Sequence, residues 1–359
     1  MWSPPPNWQS FTTVDVHTEG EPLRIVTGGI NVVPGDNMVA KREFARQHLD
    51  WLRRRLMFEP RGHADMYGAI VTEPVTPGSD FGVLFMHNEG WSTMCGHGII
   101  ALVTALYEMS AGDDGQPMAD SIWSSLCRRI ADRLKQLPIA VHIDTPAGRV
   151  TASADIQNRR VRRVQFENVP SFVFARDQVV KVAGLGEIEY DVTFGGAFYA
   201  YVDADRLGLT LDAAHARQLI DVGMTIKRAV MAALPIVHPF EPALGFLYGT
   251  ILGGSAHDGS HQSRNVCVFA EGEVDRSPTG TGVSGRLAIE HARGRLKIGR
   301  PFVVESILGT PFTGTIVAQT KFGEYPAITP AISGRAWITG RHEFLIAPDD
   351  VLRDGFLLR

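Results

Sequence analysis

The sequence predicts an α/β protein of two similar domains, each with a mixed sheet wrapped around a central helix. The composition, 44% hydrophobic and 21% charged, is typical of a globular protein, and the length of 359 residues suits two domains of about 100–200 residues. A weak internal repeat relates the two halves of the chain. In each half, a glycine-rich motif directly precedes an apolar helical segment.

The internal repeat begins with a predicted hairpin in each half. Residues 13–26 align without gaps with residues 189–202, and β-branched and aromatic residues flank the glycines in both segments. Identical residues coincide at four positions, which are Asp15 with Asp191, Val16 with Val192, Gly20 with Gly196, and Val26 with Val202. The pattern predicts a strand, a glycine turn and a second strand.

A second shared motif consists of a small nucleophilic residue, a glycine, a polar residue and another glycine. It reads Cys95-Gly96-His97-Gly98 in the first half and Thr279-Gly280-Thr281-Gly282 in the second. Helix-like runs follow at residues 99–109 and 283–292, and the first is apolar on nearly every side, which is typical of a buried helix. We therefore expect each motif at the N-terminus of a central helix.

The remaining helical segments are predicted to be scaffold, because their apolar residues form stripes at helical spacing. One stripe contains Phe44, Trp51, Leu52 and Leu56, and the other contains Ile122, Leu126, Ile130 and Leu134. Between them, residues 59–66 are predicted to be a loop that leads into a strand at residues 67–72.

Charge and composition exclude several classes of partner. The net charge of -4 gives no basic field for nucleic acid or for an anionic membrane. The N-terminus lacks the pattern of a secretory signal, and the sequence contains no long apolar run, so we expect a cytoplasmic protein. Three widely spaced cysteines fit neither a disulfide framework nor a CxxC-type zinc site.

Two glycine-rich helix starts predict a site for a small carboxylate. The first N–H groups of a helix lack intrahelical partners and lie at the positive end of the helix dipole, so they bind anions. Two such starts facing each other would hold an amino-acid carboxylate from both sides. The same donors would help to acidify the neighbouring Cα–H, because the carbanion spreads its charge onto the carboxylate oxygens.

Cys95 is the candidate base of this site. A thiol in the first turn of a helix usually has a lowered pKa, so we expect a thiolate there. Cys127, in a predicted helix, and Cys267, in a predicted strand at residues 265–270, are interpreted as buried structural cysteines. His97 lacks a third ligand for a metal shared with Cys95 and is interpreted as a hydrogen-bonding partner of the ligand or as a plain helix-start residue.

Four ordered motifs resemble the proline racemase family, and the resemblance extends over nearly the whole chain. The motifs are residues 15–22, 60–66, 94–98 and 275–282. The resemblance implies a cofactor-independent, metal-free fold of the diaminopimelate epimerase type, commonly a homodimer, with the active site between two pseudo-symmetric domains. The expected domains are residues 8–188, carrying Cys95 and completed by residues 342–359, and residues 189–341, carrying Asp275 and Thr279.

Family racemases and 4-hydroxyproline epimerases carry one cysteine in each loop, whereas this sequence has Thr279 in the second. A hydroxyl is too weak an acid or base to replace a thiol near neutral pH. The Cys/Thr pair is similar to that of trans-3-hydroxy-L-proline dehydratases, which implies loss of water to give Δ1-pyrroline-2-carboxylate, with Cys95 removing the α-proton. A proline racemase or 4-hydroxyproline epimerase, and a non-catalytic protein that binds proline analogues, are the alternatives.

The resemblance also assigns the binding residues. Backbone groups of Gly96, His97, Gly280 and Thr281 would hold the carboxylate, and Asp275 would pair with the ring nitrogen. The alternative for Asp275 is a turn or capping residue, and Thr279 either bonds to the 3-hydroxyl or to the frame of the site, or simply starts its helix. The segment at residues 110–137 is longer than expected for the family and is interpreted as an insertion at the surface or at a dimer contact.

Overall fold

The fold consists of two lobes with a similar order of elements, as the internal repeat predicts. The computed structural model describes residues 2–111, 121–134, 139–158 and 160–358. The first lobe contains β1 (Gln9–Thr18), β2 (Glu21–Gly28), α1 (Met38–His48), α2 (Asp50–Met57), β3 (Tyr67–Thr72), β4 (Phe81–His87), α3 (Gly96–Ala111), α4 (Ile122–Arg133), β5 (Ala140–Thr145), β6 (Gly148–Gln157) and β7 (Arg160–Glu167).

The second lobe has a similar but not identical order of elements, and the last strand returns to the first lobe. It contains β8 (Ser171–Val182), β9 (Gly186–Phe194), β10 (Phe198–Asp203), α5 (Ala216–Ala233), β11 (Leu247–Gly254), β12 (Ser263–Phe269), β13 (Glu273–Asp275), α6 (Gly280–Ala292), β14 (Pro301–Glu305), β15 (Pro311–Phe322) and β16 (Tyr325–Gly334). Strand β17 (Ala336–Ile346) follows after one residue and pairs with β1.

Strand pairing is the same in the two lobes. From β1 to β7, each strand pairs with the next one along the chain. The six pairings are, in order, antiparallel, parallel, antiparallel, parallel, antiparallel and antiparallel. The strands β9, β10, β11, β12, β14, β15 and β16 follow the identical sequence of pairings. Strand β16 also pairs with β7 and β8, so it joins the two sheets. The predicted hairpins that open the two halves are confirmed.

The central helices α3 and α6 begin at the motif glycines Gly96 and Gly280, as predicted. Helix α3 is buried on all sides from its first residue to Tyr107, because strands of the first lobe surround it. Helix α6 is surrounded in the same way by β8, β9, β15 and β16. No helix in the described ranges is long and apolar enough to cross a membrane.

The scaffold helices differ in one respect from the prediction. The stripe from Phe44 to Leu56 belongs to two helices rather than one, because Leu49 leaves the helical conformation between α1 and α2. Helix α4 is amphipathic as predicted, with Leu126 and Ile130 fully buried.

Helix α4 has no counterpart in the second lobe, where residues 293–300 alone connect α6 to β14. This difference agrees with the predicted long connection at residues 110–137. Residues 112–120 and 135–138 of that connection lie outside the described residues, and its role at a surface or dimer contact stays a prediction.

Both predicted domain boundaries fall inside strands. The boundary between residues 188 and 189 lies within β9, which pairs with β8 on its N-terminal side. The boundary between residues 341 and 342 lies within β17, which pairs with β1 along its length. The division of the chain into domains at these residues stays a prediction.

Each hairpin turn packs against the motif loop of the other lobe. The turn at Gly20, with φ +104°, lies beside the side chain of Arg276. The turn at Gly196, with φ +102°, lies beside Met94, and the Thr93 hydroxyl donates to the Gly196 carbonyl at 2.7 Å. Glycine fits these turns because their backbone is in the left-handed region. The hairpins thus hold the two motif loops together.

The starts of α3 and α6 touch each other directly. A Cβ atom added to Gly96 would lie 2.6 Å from the Cα of Gly280, and one added to Gly280 would lie 2.8 Å from the Cα of Gly96. Because both contacts are with backbone, no side-chain rotation could relieve them. Glycine is therefore required at both positions for the helix starts to meet.

We expect Gly96→Ala to lower the free energy of unfolding by about 1–3 kcal/mol, the usual cost of overpacking a core. The measurement is chemical denaturation of the full chain. Gly90→Ala is the matched control, because a Cβ there meets no described atom within 4 Å. Equal stability of the two variants would show that the helix starts are not in close contact.

Candidate active site

One small cavity between the lobes contains every site residue predicted from the sequence. Its volume is about 20 Å³, far below the roughly 300–1,000 Å³ of sites for drug-sized ligands, so it excludes large ligands. The predicted residues in its wall are Cys95, Gly96, His97, Asp275, Thr279, Gly280 and Thr281. The wall also contains Tyr67, Met94, Tyr199, Tyr248, Cys267 and Phe269, which were not predicted as site residues.

Cys95 immediately precedes α3 and caps its N-terminus. Its carbonyl accepts the N–H of Ile99 at 3.0 Å, and its Sγ accepts the N–H of Gly98 at 3.3 Å. The ring of His97 lies on the other side of the sulfur, with Nδ1 at 3.2 Å. The side chain is only 4% exposed. The thiol is thus fixed at the cavity wall with hydrogen-bonding groups around it.

The predicted lowering of the Cys95 pKa is wrong for the ligand-free protein. Burial raises the pKa of the thiol well above its ordinary value, and the negative charges of Asp275 and Glu21 raise it further. The hydrogen bond from Gly98 and one from the Tyr67 hydroxyl act in the opposite direction without overcoming burial. The helix start supplies favourable dipoles, but enclosure and nearby carboxylates dominate.

His97 is neutral and lies between the thiol and the carboxylate. Burial, with the nearby charge of Arg276, lowers the pKa of His97 to about 3. Its Nδ1 is 4.0 Å from Asp275 Oδ2, and the nearby Pro22 carbonyl acts against the lowering of the His97 pKa. The His97 backbone is held as well, because the Thr18 hydroxyl donates to its carbonyl at 2.9 Å. A neutral, fixed imidazole agrees with the predicted hydrogen-bonding role.

Asp275 ends β13 and presents a buried carboxylate to the cavity. Its Oδ1 accepts the N–H of Ser277 at 2.8 Å, and burial raises the pKa of Asp275 to about 6. The neighbouring Arg276 turns away towards the first lobe, where it donates to Glu21 and to the Asp65 carbonyl. The Asp275 carboxylate is therefore available to a cationic ligand.

Thr279 caps α6 in the position that Cys95 has at α3. Its φ of 66° lies in the left-handed region, which is a strained conformation for a β-branched residue. The hydroxyl is near Asp275 and Cys267. Burial raises the pKa of both groups, and the Thr279 hydroxyl acts in the opposite direction. Yet its Oγ1 has no partner of hydrogen-bonding geometry among the described residues. The hydroxyl is therefore free to bond to a ligand.

Cys267 differs from its prediction as a purely structural cysteine, because it lines the cavity. It lies in β12 directly opposite Asp275 of β13, and burial raises the pKa of its thiol well above the ordinary value. Only the register between β12 and β13 brings it to the site, and sequence spacing does not reveal that register. Cys127 is buried in α4, as predicted.

Three buried tyrosines complete the site. Tyr67 and Tyr248 join their hydroxyls at 2.9 Å, and Tyr199 bonds to the Thr281 hydroxyl at 2.8 Å. The sequence does contain a signal for the first two, which is a Tyr-Gly pair at the beginning of equivalent strands, Tyr67-Gly68 in β3 and Tyr248-Gly249 in β11. From the sequence alone, tyrosines in strands are assigned to the core unless the alignment of the two halves is extended from the hairpins to these strands.

A larger cavity, of about 790 Å³, lies at the other end of α6. Its walls carry ion pairs such as Arg293 with Asp191 at 2.7 Å and Arg206 with Glu189. These charges satisfy one another, and none of the predicted site residues lines this cavity. The cavity between the lobes is therefore the candidate active site.

Comparison with known proteins gives three informative similarities. A relative from Colwellia psychrerythraea named trans-3-hydroxy-L-proline dehydratase is 42% identical, covering 100% of this chain and 96% of the relative. One from Burkholderia multivorans named 3-hydroxyproline 2-epimerase is also 42% identical, covering 98% and 99%. The crystal structure of a hydroxyproline epimerase from Agrobacterium vitis with bound trans-4-hydroxy-L-proline superposes with a TM-score of 0.86 at 30% identity, covering 98% and 96%.

These similarities confirm the predicted epimerase-like fold and the prediction that the chain is an enzyme. The family model described as proline racemase matches residues 13–119 and 132–357. The unmatched residues 120–131 contain most of α4, the helix that has no counterpart in the second lobe. With almost the whole length matched, the chain belongs to the proline racemase family.

Proposed function

We propose that the protein is a trans-3-hydroxy-L-proline dehydratase, a carbon–oxygen lyase that forms Δ1-pyrroline-2-carboxylate. The observation that carries this proposal is the unequal pair of helix starts, with a thiol at Cys95 and a hydroxyl at Thr279. A hydroxyl cannot readily exchange a proton with carbon, so inversion of Cα lacks its second acid or base at the position where the family carries it. Full-length relatives bear the name of this dehydratase.

The substrate would bind through its two charges. Its carboxylate would lie at the touching starts of α3 and α6, where backbone N–H groups of Gly96, His97, Gly280 and Thr281 are directed. Its ring ammonium would face Asp275, with which it forms a charge-assisted hydrogen bond. These two contacts fix the ring between Cys95 and Thr279.

The stereochemistry of the substrate suits a single base. In the trans isomer the 3-hydroxyl is opposite the carboxylate, so it shares a ring face with the α-hydrogen. Cys95 thiolate would remove that hydrogen, and the electrons of the Cα–H bond would form the double bond while the hydroxyl leaves. The product enamine then tautomerises to Δ1-pyrroline-2-carboxylate.

Substrate binding would also lower the pKa of the Cys95 thiol. In the ligand-free site the Asp275 carboxylate raises the pKa of Cys95 after burial itself. An ammonium group bound to Asp275 neutralises that charge. The thiolate is therefore favoured when the substrate's ammonium is in place.

A 2-epimerase acting on the same substrate is the second candidate. Cys267 supports it, because a second thiol lies in the cavity wall close to Thr279. The relative named 3-hydroxyproline 2-epimerase is a further reason to test it.

We also propose that the enzyme works without a cofactor, as a homodimer in the cytoplasm. These three properties rest on the family resemblance and on the charge and composition of the chain.

Proton NMR in D2O should show trans-3-hydroxy-L-proline disappearing while signals of Δ1-pyrroline-2-carboxylate grow, and Cys95→Ser should abolish this conversion because a serine hydroxyl is a far weaker base. Parallel samples contain trans-4-hydroxy-L-proline and L-proline. Accumulation of an epimer in any sample would favour an isomerase instead. Binding of pyrrole-2-carboxylate with no conversion and no α-hydrogen exchange would indicate a non-catalytic protein.

The dependence of kcat/KM on pH should show two groups that must lose a proton. Below about pH 6 activity falls, because Asp275 becomes protonated and no longer holds the ammonium. Above this range activity continues to rise past about pH 8.5, where an ordinary thiol would level off, because the pKa of Cys95 is raised. In the Asp275→Asn variant, the transition near pH 6 disappears, and the rise in activity that reports ionisation of Cys95 moves to lower pH. A plateau between pH 6 and 8 would contradict the raised thiol pKa.

Thr279→Cys should increase α-proton exchange with inversion at L-proline or trans-4-hydroxy-L-proline, because it restores a thiol on the second ring face. An increase of about tenfold or more over the wild type, followed by optical rotation, is expected from a general acid of suitable strength. Thr279→Ser is the matched control, since it keeps a hydroxyl. Equal inversion by both variants would show that the residue at this position does not set the reaction type.

A further inference from the structure

The tyrosine pair Tyr67 and Tyr248 is a polar feature of the cavity to which the dehydration step has given no role. The two residues begin equivalent stretches of β3 and β11, so one comes from each lobe and they meet where the lobes face each other. Both are buried and both line the cavity. The Tyr67 ring stands edge-on to His97 at 4.8 Å, and the Tyr248 ring stacks on Phe269 at 5.3 Å. The hydroxyls are thus held rigidly in the wall.

The protons of this pair can be assigned from its neighbours. Ser92 donates its hydroxyl proton to the Met94 carbonyl at 3.1 Å, so towards the tyrosines it can only accept. One tyrosine proton lies between the two tyrosine oxygens, 2.9 Å apart. The other must go to Ser92, to the Cys95 sulfur or to a ligand. Burial keeps both phenols protonated by raising the pKa of each well above its ordinary value.

The pair is on the Cys95 side of the cavity. The Tyr67 ring stands edge-on to His97, whose Nδ1 is 3.2 Å from the Cys95 sulfur, and negative charge on Cys95 raises the pKa of both tyrosines, after burial. Tyr199, in contrast, bonds to Thr281 and is influenced by Cys267 on the other side. If the function proposed above is correct, the 3-hydroxyl of the substrate is on the ring face that Cys95 attacks. The leaving group therefore faces the tyrosine pair.

We propose that Tyr67 and Tyr248 bind the 3-hydroxyl of the substrate and supply the proton with which it leaves as water. Cys95 thiolate takes the α-hydrogen as a proton, the Cα–H electrons form the carbon–carbon double bond, and the C3–O bond breaks. The departing oxygen takes a proton from a tyrosine O–H. The Cys95 thiol then returns its proton to the phenolate. The base and the acid are both restored, and the proton removed from Cα is balanced by the one that leaves in water.

Other groups near the sulfur are less suited to this role. His97 is neutral, and its ring is already in contact with the Cys95 sulfur, with Nδ1 at 3.2 Å. Thr279 faces the opposite side of the ring. The return of the proton is favourable in the pair, because a phenolate is ordinarily a stronger base than a thiolate, with pKa values of about 10 and 8.5.

The experiment compares leaving groups that differ in their need for a proton. Trans-3-fluoro-L-proline would give the same product, but fluoride leaves without being protonated. We expect Tyr248→Phe to reduce kcat on trans-3-hydroxy-L-proline by about 10²-fold, the usual contribution of a general acid, and to reduce kcat on the fluoro substrate by less than about tenfold. Tyr107→Phe is the control, since its hydroxyl bonds to the Ile139 carbonyl away from the cavity, and it should leave the ratio of the two rates unchanged.

Equal losses of Tyr248→Phe on both substrates, or no loss on the hydroxy substrate, would overturn the role of the pair while leaving the dehydratase intact. Wild-type protein that converts neither substrate would overturn the proposed function, and with it the role of the pair. Should Tyr248→Phe fail to fold, Tyr67→Phe serves as the second variant. It should change the ratio in the same direction and also move the alkaline rise of the pH profile upwards for both substrates, because the nearby Tyr67 hydroxyl acts to lower the pKa of Cys95.

Discussion

The contact between two helix N-termini at Gly96 and Gly280 is the constraint around which this protein is built. Each helix start carries a partial positive charge and unpaired N–H groups, so bringing two together is unfavourable unless an anion lies between them. The hairpin turns at Gly20 and Gly196 hold the opposing motif loops in this arrangement. The stability of the interface and the recognition of a carboxylate thus have the same physical origin, and neither central glycine can gain a side chain without separating the starts.

Enclosure of the site has opposite effects on binding and on chemistry. Burial strengthens every hydrogen bond to a bound carboxylate, but it also opposes ionisation of Cys95 and of Asp275. The proposed substrate would resolve this conflict, because it carries both charges, a carboxylate for the helix starts and an ammonium for Asp275. In that proposal, the reactivity of the thiol depends on the ligand that will be deprotonated. Such coupling protects a buried nucleophile from unrelated chemistry.

The repeat in the sequence was sufficient to predict the hairpins and the central helices, because those features depend on local patterns around glycines. The resemblance to the proline racemase family supplied the roles of the seven predicted site residues, and those roles stay predictions. Sequence reasoning failed where the answer depends on enclosure or register. The raised pKa of Cys95 results first from burial and then from the carboxylates of Asp275, in the other lobe, and Glu21, while Cys267 reaches the cavity only through the pairing of β12 with β13. Tyr67 and Tyr248 were overlooked because an aromatic residue in a buried strand resembles ordinary core.

The two lobes share one architecture, yet their chemistry differs at a single pair of capping positions. Cys95 caps α3 and accepts the Gly98 N–H, whereas Thr279 caps α6 with a strained backbone and an unbonded hydroxyl. A strained, unsatisfied residue persists only where its surroundings determine its conformation, and such residues concentrate at functional sites. The strain and the unsatisfied hydroxyl therefore agree with the proposed place of Thr279 at a ligand site. In the proposed reaction, a symmetric fold would support one-sided chemistry, since both lobes would bind the substrate while the base acts on one face of its ring.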